Sequence, residues 1–455
     1  MTNYSVLEKK ADSKQQVLSY DPIKIGFFHY FFDISRAAGV FRVDDANIKA
    51  LQDRYPNFEP VFIAGDFRDG VFDKYEQREM NLNYRRLFRD FKAKKISKQL
   101  EYLTEDLDAI IFENPLRGIN SIVTKGIKDF SENSDKQIIY RNHDFIINYP
   151  DDHKRFLKDF NSLRDIFPKS SNVIQTALTS STKYRIEEFL DDDVFIFKNS
   201  VVCEDYLRKD DGKDEELERL LLDKGILKPG EKPLPYAIRA DKRKNGEEAL
   251  TITKMLNDYH GGNYKLIITA SRDIEFKRPE ENIYQRNLEK FAKAHDIPYS
   301  IGEVSKYIDG KNFSIGNLYH ISDLAITTAI QEGFGYAYIE PWISGTPLIG
   351  RRIREVCEDF EKNGLRFNHL YDSSFLPDGR NWEKRMKRFD KLLRDKGELI
   401  EVVKTLNLPS RIDKAIRYLG DNVKAIGEAY DHGVVIDDVI KMLKLPGYEK
   451  LEKVV

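Results

Sequence analysis

The feature that most constrains the fold is a recurrence of short apolar runs, each followed by a segment with helical spacing of its apolar residues. Short runs rich in β-branched and aromatic residues are typical of strands buried in a parallel sheet. A first series comprises Ile23–Phe28, Pro60–Ala64, Leu107–Phe112, Gln137–Tyr140, Val173–Ala177 and Val194–Phe197. A second series comprises Pro235–Arg239, Tyr264–Thr269, Pro298–Ile301, Leu324–Thr327 and Pro347–Ile349. Strands that alternate with helices over the whole chain predict an α/β fold with right-handed crossovers.

The two series are separated by Leu227–Pro235, whose prolines and glycine are typical of a linker. We therefore predict an N-terminal Rossmann-like domain over residues 1–230 and a C-terminal one over residues 231–425. Residues 426–455 are predicted to form a helical tail, because the pattern beyond Trp382 is almost wholly helical. Two doubly wound domains imply that they face each other across a ligand cleft at the carboxyl ends of their strands.

Composition excludes several classes of protein. Lys and Arg number 74 against 76 Asp and Glu, so the basic excess of a dedicated nucleic-acid-binding protein is missing. Cys203 and Cys357 lie far apart and cannot build a disulfide framework or a Cys-based zinc site, which favours a reducing cytoplasm. Met1–Tyr20 lacks the apolar core of a signal peptide, and no run approaches the roughly 18 apolar residues of a transmembrane helix. These observations predict a soluble, cytoplasmic protein.

The most informative segment is Glu332–Pro347, which follows the predicted strand Leu324–Thr327. Gly333 and Gly335 permit a sharp turn, and their amides, with the N-terminus of the next helix, would form a nest for a diphosphate. Glu340 is expected in the first turn of that helix, where its carboxylate can accept two hydrogen bonds from the vicinal diol of a ribose. The alternative is a glycine-rich strand–helix turn with a capping glutamate.

Three further segments follow predicted strands. Arg239 and Lys244 precede a helix, and two cations there suit a diphosphate because they neutralise the charge that grows on a leaving group. His143 can hydrogen-bond a sugar hydroxyl at the cleft side. Ser35–Val40, which includes Gly39, is expected to form a loop whose small residues allow close approach to a ligand. The alternatives are a solvated loop, a structural histidine and an ordinary βα turn.

Taken together, these residues resemble the retaining GT-B glycosyltransferases of the glycogen-synthase-like group, family 4 in the sequence classification. The Glu-x7-Glu motif of that family is matched by Glu332, Gly333, Phe334, Gly335, Glu340, Gly345 and Pro347. Its Arg–Lys pair is matched by Arg239 and Lys244, and its N-domain histidine by His143, while Ala38-Gly39 departs from its Gly-Gly loop. The variation around the motif looks most like a branch that includes mannosylglucosylglycerate synthase, which acts on small acidic acceptors.

The resemblance implies transfer of a hexosyl group from a UDP- or GDP-sugar to an acceptor hydroxyl of a sugar or small molecule, with the anomeric configuration retained. It implies that the domain over residues 1–230 lies on the acceptor side and that the domain over residues 231–425 binds the nucleotide sugar. Within the site, it implies that Glu332 contacts the donor sugar, Glu340 the ribose, and Arg239 with Lys244 the diphosphate. The donor-binding set that it implies is Glu340, Gly333, Phe334, Gly335 and Gly39. No metal and no cofactor besides the nucleotide sugar is expected, and the family needs no side-chain nucleophile. Base, sugar, acceptor, linkage and oligomeric state leave no residue signature.

Other interpretations stay open. The same fold is compatible with a non-catalytic nucleotide-sugar-binding or regulatory subunit, and with a phosphorylase or epimerase. Arg351, Arg352 and Arg354 suit a carboxylate acceptor, although we favour a solvated basic helix start. Tyr84–Leu100 interleaves basic and apolar residues, and we favour a core-facing stripe with a solvated basic face over docking on anionic lipid.

Overall fold

The computed structural model describes residues 22–29, 34–65, 67, 75–80, 93–117, 120–148, 160–190, 192–270, 279–308, 312–372 and 381–445. Within these residues the chain divides into two compact units. The N-terminal unit comprises residues 22–202 and 428–445, and the C-terminal unit comprises residues 203–427.

Strands and helices alternate through both units, as the apolar runs predict. The strands are β1 Ile23–His29, β2 Phe58–Ala64, β3 Glu76–Glu79, β4 Ala109–Glu113, β5 Gln137–Asn142, β6 Val173–Ala177, β7 Phe195–Ile196, β8 Lys232–Arg239, β9 Tyr264–Ala270, β10 Tyr299–Ile301, β11 Ala325–Thr327 and β12 Leu348–Gly350. The helices are α1 Ile34–Arg54, α2 Ala93–Leu103, α3 Ser121–Asn133, α4 Ser180–Glu187, α5 Lys213–Asp223, α6 Gly246–His260, α7 Pro279–Ala294, α8 Ile315–His320, α9 Glu340–Ile343, α10 Arg354–Lys362, α11 Trp382–Arg394, α12 Lys396–Leu406, α13 Leu408–Ala429 and α14 His432–Met442. Every predicted apolar run overlaps one of these strands, so the α/β prediction is confirmed.

The N-terminal unit is built on one parallel sheet with strand order β3-β2-β1-β4-β5-β6-β7. Its two faces carry separate apolar cores, one with α1 and α14 and the other with α2 and α3. Strands covered on both faces must be apolar throughout, which is why β1 and β4 are almost continuous apolar runs. This is a doubly wound arrangement.

Strand β3 is absent from the sequence-based expectations. Its residues are all charged or polar and mostly exposed, so no apolar run marks it. It pairs with β2 at the edge of the sheet, where polar side chains reduce the risk of pairing with another chain.

The C-terminal unit contains two parallel ladders, β10-β9-β8 and β11-β12, around a common apolar core. Strand β8 includes Pro233, which was predicted to lie in the linker, and Pro235, which was predicted to lie where the linker meets the strand. That part of the linker prediction is wrong. Both prolines are accommodated because β8 lies at one edge of its ladder, where a residue without an N–H group interrupts no hydrogen bond.

The division of the chain differs from the predicted domain boundaries. It falls between Val202 and Cys203 rather than between residues 230 and 231. Residues 203–230 join the C-terminal unit because their polar groups are satisfied there. His320 Nε2 hydrogen-bonds the Tyr206 carbonyl at 2.8 Å, and Asn317 Nδ2 donates to Asp214 Oδ1 at 2.9 Å.

The helical tail predicted for residues 426–455 also belongs elsewhere. Helix α14 is part of the N-terminal unit, where its buried apolar residues complete the core beneath β1 and β2. Those residues are Val435, Ile436, Val439 and Ile440. The helical state is confirmed for residues 432–442, whereas residues 446–455 lie outside the described part of the chain.

Candidate functional site

The centre of the candidate site is an ion pair between the two loops that the sequence analysis singled out. Strand β8 ends at Arg239, and a single 3-10 turn, Lys242–Lys244, then leads into α6. Glu332 lies in the loop that follows β11. Lys244 Nζ lies 2.5 Å from Glu332 Oε1, and the two side chains are only 13% and 9% exposed. The structure thus brings together two residues that the motifs predicted separately.

Backbone hydrogen bonds tie these two loops to each other. The Tyr236 hydroxyl donates to the Lys244 carbonyl at 2.6 Å and accepts from the Thr328 amide at 3.1 Å. The Ile330 amide donates to the Arg243 carbonyl at 2.9 Å. The Tyr236 hydroxyl thus links the β8–α6 turn to the loop after β11, and the Ile330–Arg243 bond joins the two directly. These bonds hold Lys244 in position relative to Glu332.

Burial shapes the electrostatics of this pair. Burial lowers the pKa of Lys244, and the neighbouring Glu332 carboxylate opposes that shift. Burial also raises the pKa of Tyr236, so its hydroxyl stays protonated and can act as the donor described above. The site therefore presents a positive charge with little access to water, where its interaction with another charge is screened less than at the surface.

Glu340 occupies the position predicted for it, the first residue of α9, with Pro341 directly after it. Its carboxylate is buried and accepts a hydrogen bond from the Tyr206 hydroxyl at 2.7 Å. Helix α9 has only four residues, so it is a single turn. Tyr206 was missed by the sequence analysis, since it lies 134 residues away with no motif around it.

The two glycines between Glu332 and Glu340 lie in different surroundings. Gly335 has φ +99°, and a Cβ atom there would lie 2.7 Å from Val356 Cγ1 and 2.9 Å from Tyr338 Cδ2. Only glycine suits this position, because the backbone conformation and the space both exclude a side chain. Gly333 is half-buried in the same loop, and Phe334 is buried with its ring 5.4 Å from that of Phe360.

The Lys242–Lys244 turn is in contact with buried charged residues that the sequence did not reveal. Arg385, on α11, donates from Nη2 to the Lys242 carbonyl at 2.6 Å and from Nε to Glu247 Oε1 at 2.9 Å. Its Nε also lies 3.2 Å from Asn245 Oδ1. Arg385 and Glu247 have no exposed side-chain surface. One guanidinium thus contacts the turn, its following residue and the start of α6.

A second buried pair corrects the interpretation of Arg351. This arginine is buried and donates through Nε to Glu248 Oε1 at 3.1 Å, with Nη2 bonded to Glu248 Oε2 as well. The Tyr371 hydroxyl donates to the same carboxylate at 2.7 Å. The favoured solvated-helix interpretation is therefore wrong for Arg351, whereas Arg354 is an exposed residue paired with Glu358. The buried Arg351 guanidinium therefore forms an ion pair with Glu248 inside the protein.

Of the predicted N-terminal residues, His143 follows β5 directly, as expected. It is buried, and its Nε2 contacts the Glu113 carboxylate at the end of β4. Glu113 is also 3.5 Å from the Arg141 guanidinium, which lies 3.8 Å from Asp44. His143 is therefore part of a buried cluster of charged and titratable groups.

Two other predictions concern segments of the same unit. Gly39 lies inside α1, so the loop predicted for Ser35–Val40 is helical instead; alanine, which fills positions 37 and 38, is the strongest helix former. In the basic segment, residues 84–92 lie outside the described part of the chain. Residues 93–103 form α2, which buries Ile96, Ser97 and Leu100 and exposes its lysines. For these residues the core-facing interpretation is confirmed.

The remaining predicted residue, Arg239, is the last residue of β8 and is exposed. Among the described helices, none combines the length and the hydropathy required to cross a lipid bilayer.

Part of the chain matches a known protein family. Residues 221–415 match the family model for glycosyl transferases group 1. These residues include Arg239, Lys244, Glu332 and Glu340. The chain is also 25% identical over 251 residues to mannosylglucosyl-3-phosphoglycerate synthase of Petrotoga mobilis. That match covers 54% of this chain and 46% of the relative, so the chain spans less than half the length of this curated protein.

Solved structures of low sequence identity share the fold. HepE of Anabaena, crystallised with UDP and glucose, superposes with a TM-score of 0.60 at 14% identity, covering 93% of this chain and 99% of that one. Sucrose-phosphate synthase of Thermosynechococcus elongatus superposes with a TM-score of 0.60 at 12% identity, covering 95% and 100%. The likeness confirms the predicted GT-B architecture.

Proposed function

We propose that this chain, whose residues 221–415 form a glycosyl transferases group 1 domain, transfers a hexosyl group from a nucleotide diphosphate sugar to an acceptor hydroxyl. The observation that carries the proposal is the Lys244–Glu332 pair, held between two loops at the carboxyl ends of β8 and β11. Ligands of open α/β sheets bind at this end of the strands. A solved structure of the same fold contains UDP and glucose, which supports this choice of donor.

The residues divide the donor between them. Lys244 and the exposed Arg239 bind the diphosphate, and Glu340, held by Tyr206, binds the ribose diol. Glu332 orients a hydroxyl of the sugar. Its carboxylate also keeps Lys244 in one orientation before the donor arrives, so little reorganisation is needed as charge develops.

The reaction proceeds with retention and without a side-chain nucleophile. The bond between the anomeric carbon and the diphosphate oxygen breaks, and the acceptor oxygen bonds to that carbon on the same face. The proton of the acceptor hydroxyl passes to the departing phosphate oxygen. Positive charge for the leaving group comes from Arg239 and Lys244, so the proposal includes no metal ion.

We propose UDP or GDP as the nucleotide, and a sugar or a small hydroxylated acid as the acceptor. The acid is supported by the relative from Petrotoga mobilis, whose name specifies mannosylglucosyl-3-phosphoglycerate as its product. Anionic and neutral acceptors are therefore compared in the same assay.

The test is a screen of nucleotide sugars by thermal shift, followed by a transfer assay with the donor that binds. A ligand specific to the native state raises apparent stability by about 2.7 kcal/mol at a hundredfold excess over its dissociation constant. Glu332→Ala and Lys244→Ala are each expected to lower transfer by roughly 10²–10³-fold, as when a preorganised charge partner is removed. Lys254→Ala, on α6 and paired with Asp258, is the matched control.

The possible outcomes test the proposed site, the retention of configuration and the presence of catalysis separately. Transfer that survives both substitutions in a folded protein contradicts the proposed site. An inverted anomeric configuration in the product, read by NMR, contradicts retention. Binding of a nucleotide sugar with neither transfer nor slow hydrolysis across many acceptors assigns the chain to the non-catalytic class.

A further inference from the structure

The buried cluster around His143 includes a glutamate that the proposed function does not use. Glu113 is the last residue of β4, and His143 follows the last residue of the neighbouring strand β5. The Glu113 carboxylate has no exposed surface and contacts His143 Nε2. A carboxylate that accepts a hydrogen bond from one ring nitrogen determines which nitrogen carries the proton of a neutral imidazole.

Glu113 also has a buried cation next to it. Arg141 is the buried cation; its Nη1 lies 3.5 Å from Glu113 Oε1, and its guanidinium stacks 3.9 Å above the Phe197 ring. Burial raises the pKa of Glu113, but the Arg141 charge and the contact with the His143 side chain outweigh it and lower that pKa to about 2, so Glu113 is ionised. Burial, followed by the Glu113 charge, raises the pKa of Asp44 well above its ordinary value. Arg141 is thus the cation that compensates the buried Glu113 charge.

We propose that Glu113 is a positioning residue that keeps the His143 proton on Nε2 and leaves Nδ1 as a hydrogen-bond acceptor for a substrate hydroxyl. Within the described part of the chain, Nδ1 has no hydrogen-bond partner, and the side chain retains 10% of its surface exposed. The inference rests on the proposed function for the identity of the hydroxyl. Nδ1 orients the hydroxyl and takes no proton from it.

The first test reads the tautomer directly. Long-range ¹H–¹⁵N NMR of the full chain with labelled histidine separates a protonated from an unprotonated ring nitrogen, and His143→Gln identifies the His143 signals. We expect Nε2–H with an unprotonated Nδ1 near neutral pH. A wild-type ring protonated on Nδ1, alone or together with Nε2, overturns the proposal. This measurement needs no substitution of Glu113, so it stands even if variants at that position do not fold.

The second test replaces the carboxylate. In Glu113→Gln an amide N–H₂ can donate to Nε2, which stabilises the wrong tautomer, as an amide does in place of the carboxylate of a catalytic triad. We expect loss of the Nε2–H preference, and a fall in kcat/KM for the acceptor of roughly tenfold to a hundredfold, as for carboxylates that orient metal-bound histidines. An unchanged tautomer in the folded variant overturns the proposal. Asp390→Asn is the matched control, because Asp390 bonds His295 Nε2 at 2.9 Å in the other unit.

A double-mutant cycle shows whether Glu113 acts through His143. If it does, Glu113→Gln adds no loss to that of His143→Gln; additive losses overturn the proposal. The two proposals fail differently. If no donor supports transfer, the proposed function fails while the NMR spectrum still decides the tautomer. If transfer is intact and the tautomer is wrong, only the role of Glu113 fails.

Discussion

Lys244 and Glu332 illustrate how single residues in this protein depend on a partner. Each side chain is largely withdrawn from water, at 13% and 9% exposure. A charge in that setting is costly unless an opposite charge lies next to it. Because 88 residues separate the two in sequence, their contact also fixes the loop after β11 against the turn after β8.

Removal of one member of this pair is expected to destabilise the C-terminal unit more than removal of both. Lys244→Met leaves the Glu332 carboxylate unpaired, with an expected loss of about 3–5 kcal/mol, and adding Glu332→Gln recovers much of it. Urea unfolding followed by tryptophan fluorescence measures the stability of the C-terminal unit, because both tryptophans, Trp342 and Trp382, lie in that unit. A double variant less stable than Lys244→Met would contradict the expectation.

His369 gives the same unit a dependence on pH. Its ring is fully buried, perpendicular to that of Trp342 at 5.5 Å, and burial lowers its pKa from 6.5 to about 4. Above pH 6.5 the His369 ring is neutral in both the folded and the unfolded chain, so its protonation takes nothing from the free energy of unfolding. As pH falls from 6.5 to 4 the unfolded chain takes up a proton that the folded chain does not, and stability is lost.

The expected result is a lower urea midpoint at pH 5 than at pH 7.5, by tryptophan fluorescence. In His369→Phe the part of this midpoint difference that His369 causes is expected to disappear, because phenylalanine does not titrate. An identical pH dependence in wild type and variant would show that another group causes it.

At the scale of elements, α11 supports a loop that is remote in sequence. Arg385 reaches from this helix to the Lys242 carbonyl, 143 residues away, and to Glu247 at the start of α6. The turn with Lys244 has three residues and cannot hold one conformation by itself. A buried guanidinium with several acceptors gives it a fixed support.

Arg385→Lys is expected to weaken this support, because an ammonium cannot reproduce the planar set of donors. Loss of hydrogen bonds to a charged group costs about 1.5–3 kcal/mol. We expect lower stability of the C-terminal unit and weaker nucleotide-sugar binding, measured by calorimetry. Arg388→Lys, an exposed position on the same helix, is the control. Equal effects of both substitutions would show that α11 has no specific link to the turn.

At the scale of the whole molecule, residues 428–445 belong to the N-terminal unit although they follow the C-terminal unit in sequence. Helix α14 contributes four buried apolar residues to the core beneath β1 and β2. Full burial of each such side chain stabilises by about 1.5–3 kcal/mol. The N-terminal unit is therefore completed by residues more than 200 positions after Val202.

A chain that ends at Gly427 is expected to keep the tryptophan-monitored transition of the C-terminal unit and to lose protection in the N-terminal one. Hydrogen exchange at β1 and β2 measures the second effect, since both strands pack in the core that α14 completes. A chain that ends at Leu445 retains all of α14 and is the control. Unchanged exchange at β1 and β2 in the shorter chain would contradict this role of α14.

The amino-acid sequence by itself determined the elements and the kind of site. Apolar runs and their spacing depend on neighbouring residues, so the strands other than the polar β3 were predictable. The same holds for Glu340 at the start of α9 and for Lys244 at a strand–helix junction. Each of these predictions follows from local backbone geometry and residue type.

Only the tertiary structure decided which residues meet. The contact of Lys244 with Glu332, the support from Arg385, the Glu113–His143 pair and the place of α14 all join distant parts of the chain. Such contacts leave no periodic pattern, because they form when separate elements pack. Strand β8 shows the same limit, since its prolines are tolerated only because packing places the strand at an edge.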